Sequence, residues 1–247
     1  MGGYTQSVRE TAMKKMIFLG SADKSHVLLA LGRLLTAMGK KVLLVDSTMG
    51  QAVQGYLPPV FTGSAVQEFE DMDIAYGYIT AAQLDHALEQ AGTLGAYDVL
   101  LLDTDHTQMV TGRNLPDFDK RVWCWDGKRL SLQKNEELLL RLCLHEAEAP
   151  LSFYEWLSPA LPGRLPAWRA ETRLRHVEWL EPSFHFPLDE RDATADVHNQ
   201  HQHRIDLRRV SGAFRQVLLT MLQQLGDCDA KDARRAWATA QKRWRAW

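Results

Sequence analysis

Three short apolar runs mark the first half of the chain: Met16-Ile17-Phe18-Leu19, Val42-Leu43-Leu44-Val45 and Val99-Leu100-Leu101-Leu102. Each is continuous rather than alternating, as strands buried on both faces of a parallel sheet are. Between the first two, residues 25–38 carry Val27, Leu28, Leu31, Leu34, Leu35 and Met38 at helical spacing. Gly39 then stops the helix and Lys40-Lys41 lead into the next strand. Residues 16–46 therefore predict one right-handed βαβ unit. Further helices are predicted over 81–91, 130–144 (Leu132, Leu138, Leu139, Leu142 and Cys143 inward) and 210–225. Further strands are predicted over 121–125, 151–156 and 177–180, with a Pro- and Gly-rich loop over 159–166. Strands alternating with helices predict an α/β fold, a doubly wound, mostly parallel sheet with helices on both faces. The expected organisation is an extension over 1–14, an α/β domain over 15–226 and a basic, amphipathic C-terminal helix over 227–247.

The 247 residues are 45% hydrophobic and 24% charged, which suits one globular domain and excludes a disordered chain. A net charge of −2 argues against a molecule built as a whole for nucleic acid. The tail differs: Lys231, Arg234, Arg235, Lys242, Arg243 and Arg245 face a single acid, Asp232. Cys124, Cys143 and Cys228 form no metal or redox motif and read as free thiols in a reducing compartment. The N-terminus has no apolar signal core, position 6 is Gln rather than the Ser or Thr of a myristoylation signal, and no apolar run is long enough to span a bilayer. The expectation is a cytoplasmic protein, peripheral at the inner membrane face if the C-terminal helix meets lipid.

The order of motifs resembles the MinD/ParA-type ATPases, a P-loop family with a deviant KGGxGK[ST] loop. Here Lys24-Ser25 stand between the first strand and its helix, Val42-Leu43-Leu44-Val45-Asp46 is similar to the second strand, and Tyr97-Asp98-Val99-Leu100-Leu101-Leu102-Asp103-Thr104 to the strand carrying the second switch. Val122-Trp123-Cys124-Trp125 with Ser131-Leu132, and Phe186-Pro187-Leu188-Asp189, resemble later family segments. The resemblance covers roughly residues 15–225 and implies nucleotide-binding positions at Gly20, Ser21, Lys24, Ser25, Asp46 and Asp103. It also implies dimerisation and service in a membrane-associated bacterial machine for pili, flagella, secretion or division.

The departures fall on the chemistry. A phosphate cradle needs glycines so that successive N–H groups can face the anion. This loop is short, with Gly20 alone before Ser21-Ala22-Asp23, and the Asp23 carboxylate sits beside the lysine. The family's signature lysine has no counterpart near Phe18 and Leu19. Its second aspartate, which orients the attacking water, is replaced by Thr48 in Asp46-Ser47-Thr48. The Pro and Gly after Asp103-Thr104 are Asp105 and His106. Cradle, transition-state charge and water-positioning carboxylate are lost together. The expectation is a pseudo-ATPase with no catalytic residue and no cofactor, acting as a scaffold, locator or regulator. The alternative is a divergent ATP- and Mg-dependent switch using Lys24, Ser25, Asp46 and Asp103. Lys24-Ser25 also have a purely structural reading, the opening of a helix capped by Asp23 or Ser21. Asp46 and Asp103 have a similar one, as strand ends that cap neighbouring loops.

The histidines at 198, 201 and 203 read as part of a polar, solvated loop, with no metal expected even with His106 or His185 nearby. No Ser or Cys stands in a nucleophile elbow near His145, His176 or His185. Trp237, Trp244 and Trp247 share a helix face with Ala233 and Ala240, while Arg234, Arg235 and Arg243 lie mostly elsewhere around the helix. Such a helix can lie in anionic headgroups, meet a partner or second subunit, or pack on its own core. The expected partners are protein, a homodimer or an active paralogue. Nucleic acid is disfavoured.

Overall fold

The computed structural model describes residues 12–59, 66–142, 149–161 and 177–242. Its strands are β1 (Lys14–Leu19), β2 (Val42–Asp46), β3 (Val66–Phe69), β4 (Met72–Tyr76), β5 (Val99–Thr104), β6 (Lys120–Trp125), β7 (Leu151–Ala160) and β8 (Val177–Pro187). Its helices are α1 (Ser25–Ala37), α2 (Ala81–Gln90), α3 (Arg129–Arg141), α4 (Glu190–Gln202), α5 (Gly212–Gly226) and α6 (Ala230–Lys242). The strands form one eight-stranded sheet in the order β3-β4-β2-β5-β1-β6-β7-β8. Only the β3–β4 pair is antiparallel.

The three apolar runs become the central strands because both of their faces are covered. Met16 and Phe18 of β1 join the core under α1, α5 and α6. Ile17 and Leu19 join the opposite core, under α2 and α3. The expected doubly wound sheet with helices on both faces is therefore the fold. β1 lies between β5 and β6, so the chain diverges on either side of it and opens a crevice at its carboxyl end. The register sets Phe18 beside Asp103, and Asp103 beside Asp46, at that crevice.

Four departures from the sequence expectation have physical reasons. The β3–β4 hairpin turns through Glu70 and Asp71 at φ 53 and 64, so no Gly or Asn announces it. The Glu70 carboxylate holds that turn by pairing with Arg33 of α1 and accepting the Ile205 N–H at 2.8 Å. Residues 190–202, expected in part as a solvated loop, form α4, whose buried stripe is Asp192, Ala195 and Asn199 rather than aliphatic. Strand β7 continues through Pro159, at a register shift against β8, where a loop was expected. Residues 162–166 of that expected loop lie outside the described residues.

The fourth correction concerns the C-terminal helix. Trp237 is only 2% exposed and shares the α1–α5 core with Ala233, Ala236 and Ala240, so it is not a membrane or partner contact. Arg33 Nη2 donates to the Ala240 carbonyl at 2.9 Å and the Arg215 guanidinium lies 5.1 Å from the Trp237 ring centroid. Helix α6 therefore packs on the core beside α1 and α5, one of the three placements that the sequence left open. Arg234 and Arg235 are exposed on its outer side, and Arg243, Trp244 and Trp247 lie outside the described residues. Among the described residues no helix is long and apolar enough to cross a membrane. Cys124 is buried and free, as is the half-buried Cys228, while Cys143 lies outside the described residues.

Trp237→Ala is expected to lower the unfolding free energy by about 3–5 kcal/mol, as loss of a fully buried aromatic does. Arg234→Ala and Arg235→Ala should change it by less than about 0.5 kcal/mol. Urea denaturation followed by tryptophan fluorescence or circular dichroism compares the three.

Candidate functional site: a crevice closed by its own loop

The loop between β1 and α1 is built around a buried ammonium. Lys24 is 1% exposed, and its Nζ lies 2.6 Å from the Gly20 carbonyl, 2.7 Å from the Ala22 carbonyl and 2.9 Å from Asp103 Oδ1. Two of its protons go to the carbonyls, and its charge is paired with Asp103. Burial favours the neutral amine, but the charge of Asp103 above all outweighs it and holds the Lys24 proton more tightly than usual. Asp103 is pushed up to about 7 by burial, which Lys24 opposes and Asp46 reinforces.

Three backbone donors at this turn are engaged as well. Gly20 N–H donates to the Thr104 carbonyl at 3.1 Å, Ser21 N–H to Asn135 Oδ1 at 2.8 Å and Ser25 N–H to Asp23 Oδ1 at 2.9 Å. Asn135 of α3 also donates to the Cys124 carbonyl at 2.6 Å, and Ser21 Oγ bonds Ser131 Oγ at 3.1 Å. Gly20 has φ +138, and a Cβ there would lie 2.0 Å from the Cys124 carbonyl oxygen. Its glycine is thus required by the close approach of β6 as well as by its φ. Asp23, not Ser21, takes up the first free N–H of α1, Lys24 itself being the N-cap residue.

Asp46 and Asp103 sit together in sequence register but serve different loops. Asp46 Oδ1 accepts from Thr48 N–H at 3.0 Å and Thr48 Oγ at 2.6 Å, and Oδ2 accepts from Val53 N–H at 3.1 Å. The two loops are tied to each other where His106 Nε2 meets the Ser47 carbonyl at 2.6 Å and Met49 N–H meets Asp105 Oδ1 at 3.1 Å. The structure thus brings Gly20, Lys24, Asp46 and Asp103 to one place, with Ser21 on the loop and Ser25 at the start of α1 beside them. Sequence reasoning missed Asn135, a polar residue in the buried stripe of α3 that no short motif marks, and gave Ser131 no role beyond opening that helix.

On the other side of the loop a cavity of about 350 Å³ opens between the start of α1, the ends of β7 and β8, and α4. Asp23, Asp126, Asp189, Asp192 and Asp196 line it with Lys128, His26, Phe186 and Phe214. Burial holds the His26 imidazole below its usual pKa, against the pull of Asp196, Asp192 and Asp23. A nucleotide phosphate, which the fold family implies, does not fit these residues as arranged: the ammonium and three loop N–H groups already have acceptors, and the adjoining cavity is acidic. Among the described residues no group of His, Cys, Asp and Glu could hold a metal ion. The histidines of the 196–203 segment instead lie on or just after α4, where His203 Nδ1 meets the Tyr56 carbonyl at 3.2 Å.

Removing the ammonium strands a buried carboxylate and two carbonyls. Lys24→Met is expected to cost about 3–5 kcal/mol in stability, read as a denaturant midpoint shift. The raised Asp103 value has a definite sign. Its folded value stands above the unfolded carboxylate value of about 3.9. The native state therefore keeps a proton that the unfolded chain has released, and the stability contributed by Asp103 falls as pH rises from about 4 through 7. Asp103→Asn, which has no such proton, should gain stability relative to wild type across that window, measured by urea midpoints at several pH values.

The sequence matches no protein-family model and no curated protein at a significant level. Solved structures do match. The ParA family ATPase from Chlorobium tepidum TLS superposes with TM-score 0.57 at 15% identity, over 84% of this chain and 97% of that one. MinD in the MinC:MinD cell division complex of Aquifex aeolicus gives 0.56 at 13%, over 87% and 97%. The MinD cell division protein of Aquifex aeolicus gives 0.55 at 11%, over 87% and 98%. At these identities the likeness is one of fold, and the fold of this chain is that of the ParA and MinD ATPases.

Proposed function

We propose that this chain is a non-catalytic ParA/MinD-like protein that positions, scaffolds or regulates a bacterial assembly through protein contacts. The observation that carries the reading is the folding of the loop onto its own lysine: Lys24 on Gly20, Ala22 and Asp103, and the N–H groups of Gly20, Ser21 and Ser25 on Thr104, Asn135 and Asp23. A phosphate would have to displace these bonds, and the residues that would repay it in the transition state are replaced. Thr48, whose position matches the family's water-orienting aspartate, hydrogen-bonds Asp46. MinD of Aquifex aeolicus is seen in complex with MinC, which supports a working mode through a protein partner. A homodimer or a pair with an active paralogue belongs to the same reading. So does peripheral membrane contact, through the exposed Arg234 and Arg235 and the residues after Lys242.

The test is calorimetric titration of the full chain with Mg-ATP and with Mg-ADP, alongside light scattering for mass. The expected result is no saturable heat and a mass unaffected by nucleotide. Micromolar binding with nucleotide-dependent dimerisation would overturn the reading in favour of a divergent ATPase switch.

A further inference from the structure

The charged side chains on the cavity beside the closed loop are mostly acidic. Five carboxylates face it, whereas Lys24 is turned onto Asp103 and the exposed Lys128 onto Asp126 at 3.1 Å. Asp23 Oδ2 and Asp196 Oδ2 accept no hydrogen bond among the described residues, their Oδ1 atoms serving Ser25 N–H and Tyr56. The rings of Phe186 and Phe214, 5.0 Å apart and 2% and 4% exposed, close the floor of the cavity. Several carboxylates converging on one cavity select a cation with several donors, and a planar guanidinium in particular.

A second observation comes from His26, whose largely buried ring lines the same cavity. Asn199 Oδ1 accepts the Asp206 N–H at 3.0 Å, which fixes the amide so that its Nδ2 donates to His26 Nε2 at 3.3 Å. The proton of the neutral ring is therefore on Nδ1, which has no partner among the described residues. The cavity thus offers one N–H donor beside its carboxylates, so its occupant carries an acceptor as well as a cation. At the rim, Leu188 is 63% and Leu161 60% exposed, close together because Leu188 N–H donates to the Ala160 carbonyl at 3.2 Å. Exposed leucines beside a charged cavity suit a polypeptide better than a small amine.

We propose that this cavity receives an arginine side chain from a basic segment of a partner protein, with the guanidinium on Asp23 and Asp196 and a peptide carbonyl on His26 Nδ1. The proposal rests on the non-catalytic reading of the adjacent crevice and specifies the chemistry of its partner.

The test uses the isotope-labelled full chain and N-acetyl-arginine amide, with N-acetyl-citrulline amide as the neutral isostere, spermidine and Mg-ATP as comparisons. Saturable amide shifts around His26 and α4 are expected with the arginine amide. Binding should weaken about tenfold or more with citrulline, and about tenfold in Asp23→Asn and in Asp196→Asn, as loss of a charged hydrogen bond does. These variants keep the Ser25 and Tyr56 hydrogen bonds, and circular dichroism checks that they remain folded. Absence of saturation, or equal affinity for citrulline, overturns the proposal. Saturation by spermidine without the arginine amide also overturns it, in favour of a small polyamine. Mg-ATP binding would overturn the reading of the crevice instead, whereas failure of the arginine amide with Mg-ATP also silent sinks the cavity assignment alone.

Discussion

The carboxyl edge of this molecule is organised by one buried charge, the ammonium of Lys24. A buried cation is tolerated only where oxygens replace its water, and here they come from two elements: the Gly20 and Ala22 carbonyls and the Asp103 carboxylate. Meeting that demand curls the β1–α1 loop over its own lysine. Gly20 is thereby pressed against the Cys124 carbonyl, where a side chain has no room, and Asn135 bridges the Ser21 N–H to that same carbonyl. Sheet register does the rest by placing Asp46 beside Asp103, where its charge opposes the hold of Lys24 on the Asp103 carboxylate.

The same lysine links the crevice to the cavity. Because Lys24 is turned onto Asp103, no buried cation among the described residues offsets Asp23, Asp126, Asp189, Asp192 and Asp196 on the other side of the loop. A site that in the resemblance would attract polyanions therefore presents the opposite sign, and the field of five carboxylates steers anions away and cations in. Closure of the loop and inversion of the local charge are two results of one packing choice.

Much of the architecture was legible because it rests on burial. The runs at Met16, Val42 and Val99, and the helix over residues 25–38, are apolar on the faces that the layers cover, and their periodicity says so. The elements that escaped are held by polar groups. The β3–β4 turn depends on Glu70 bonding Arg33 and Ile205, and the buried stripe of α4 is Asp192, Ala195 and Asn199. At the site, the loss of the glycine-rich loop and of the water-orienting position could be read from residue types alone. Where Lys24 points, and that Asn135 closes the loop, could not, since both depend on contacts between segments distant in the chain. Trp237 shows the limit from the other side: a stripe of Trp and Ala looks the same whether it faces lipid, a partner or α1 and α5.

A nucleotide switch works by giving its loops different contacts in two states, and a ligand can move such an equilibrium only by its differential affinity. Here the loops after β2 and β5 hold each other, through His106 on the Ser47 carbonyl and Asp105 on the Met49 N–H, and the β1–α1 loop is held by Asn135 and Asp103. Any phosphate-driven rearrangement would have to break a buried ion pair and several hydrogen bonds at once. The cavity lined by His26, Phe186 and Phe214 requires no such break, because His26 Nδ1, Asp23 Oδ2 and Asp196 Oδ2 are without partners among the described residues. Binding free energy is most readily gained where polar groups are still unsatisfied. On that ground the responsive part of this edge is the acidic cavity between α1 and α4, and the loop that resembles a phosphate cradle is its rigid wall.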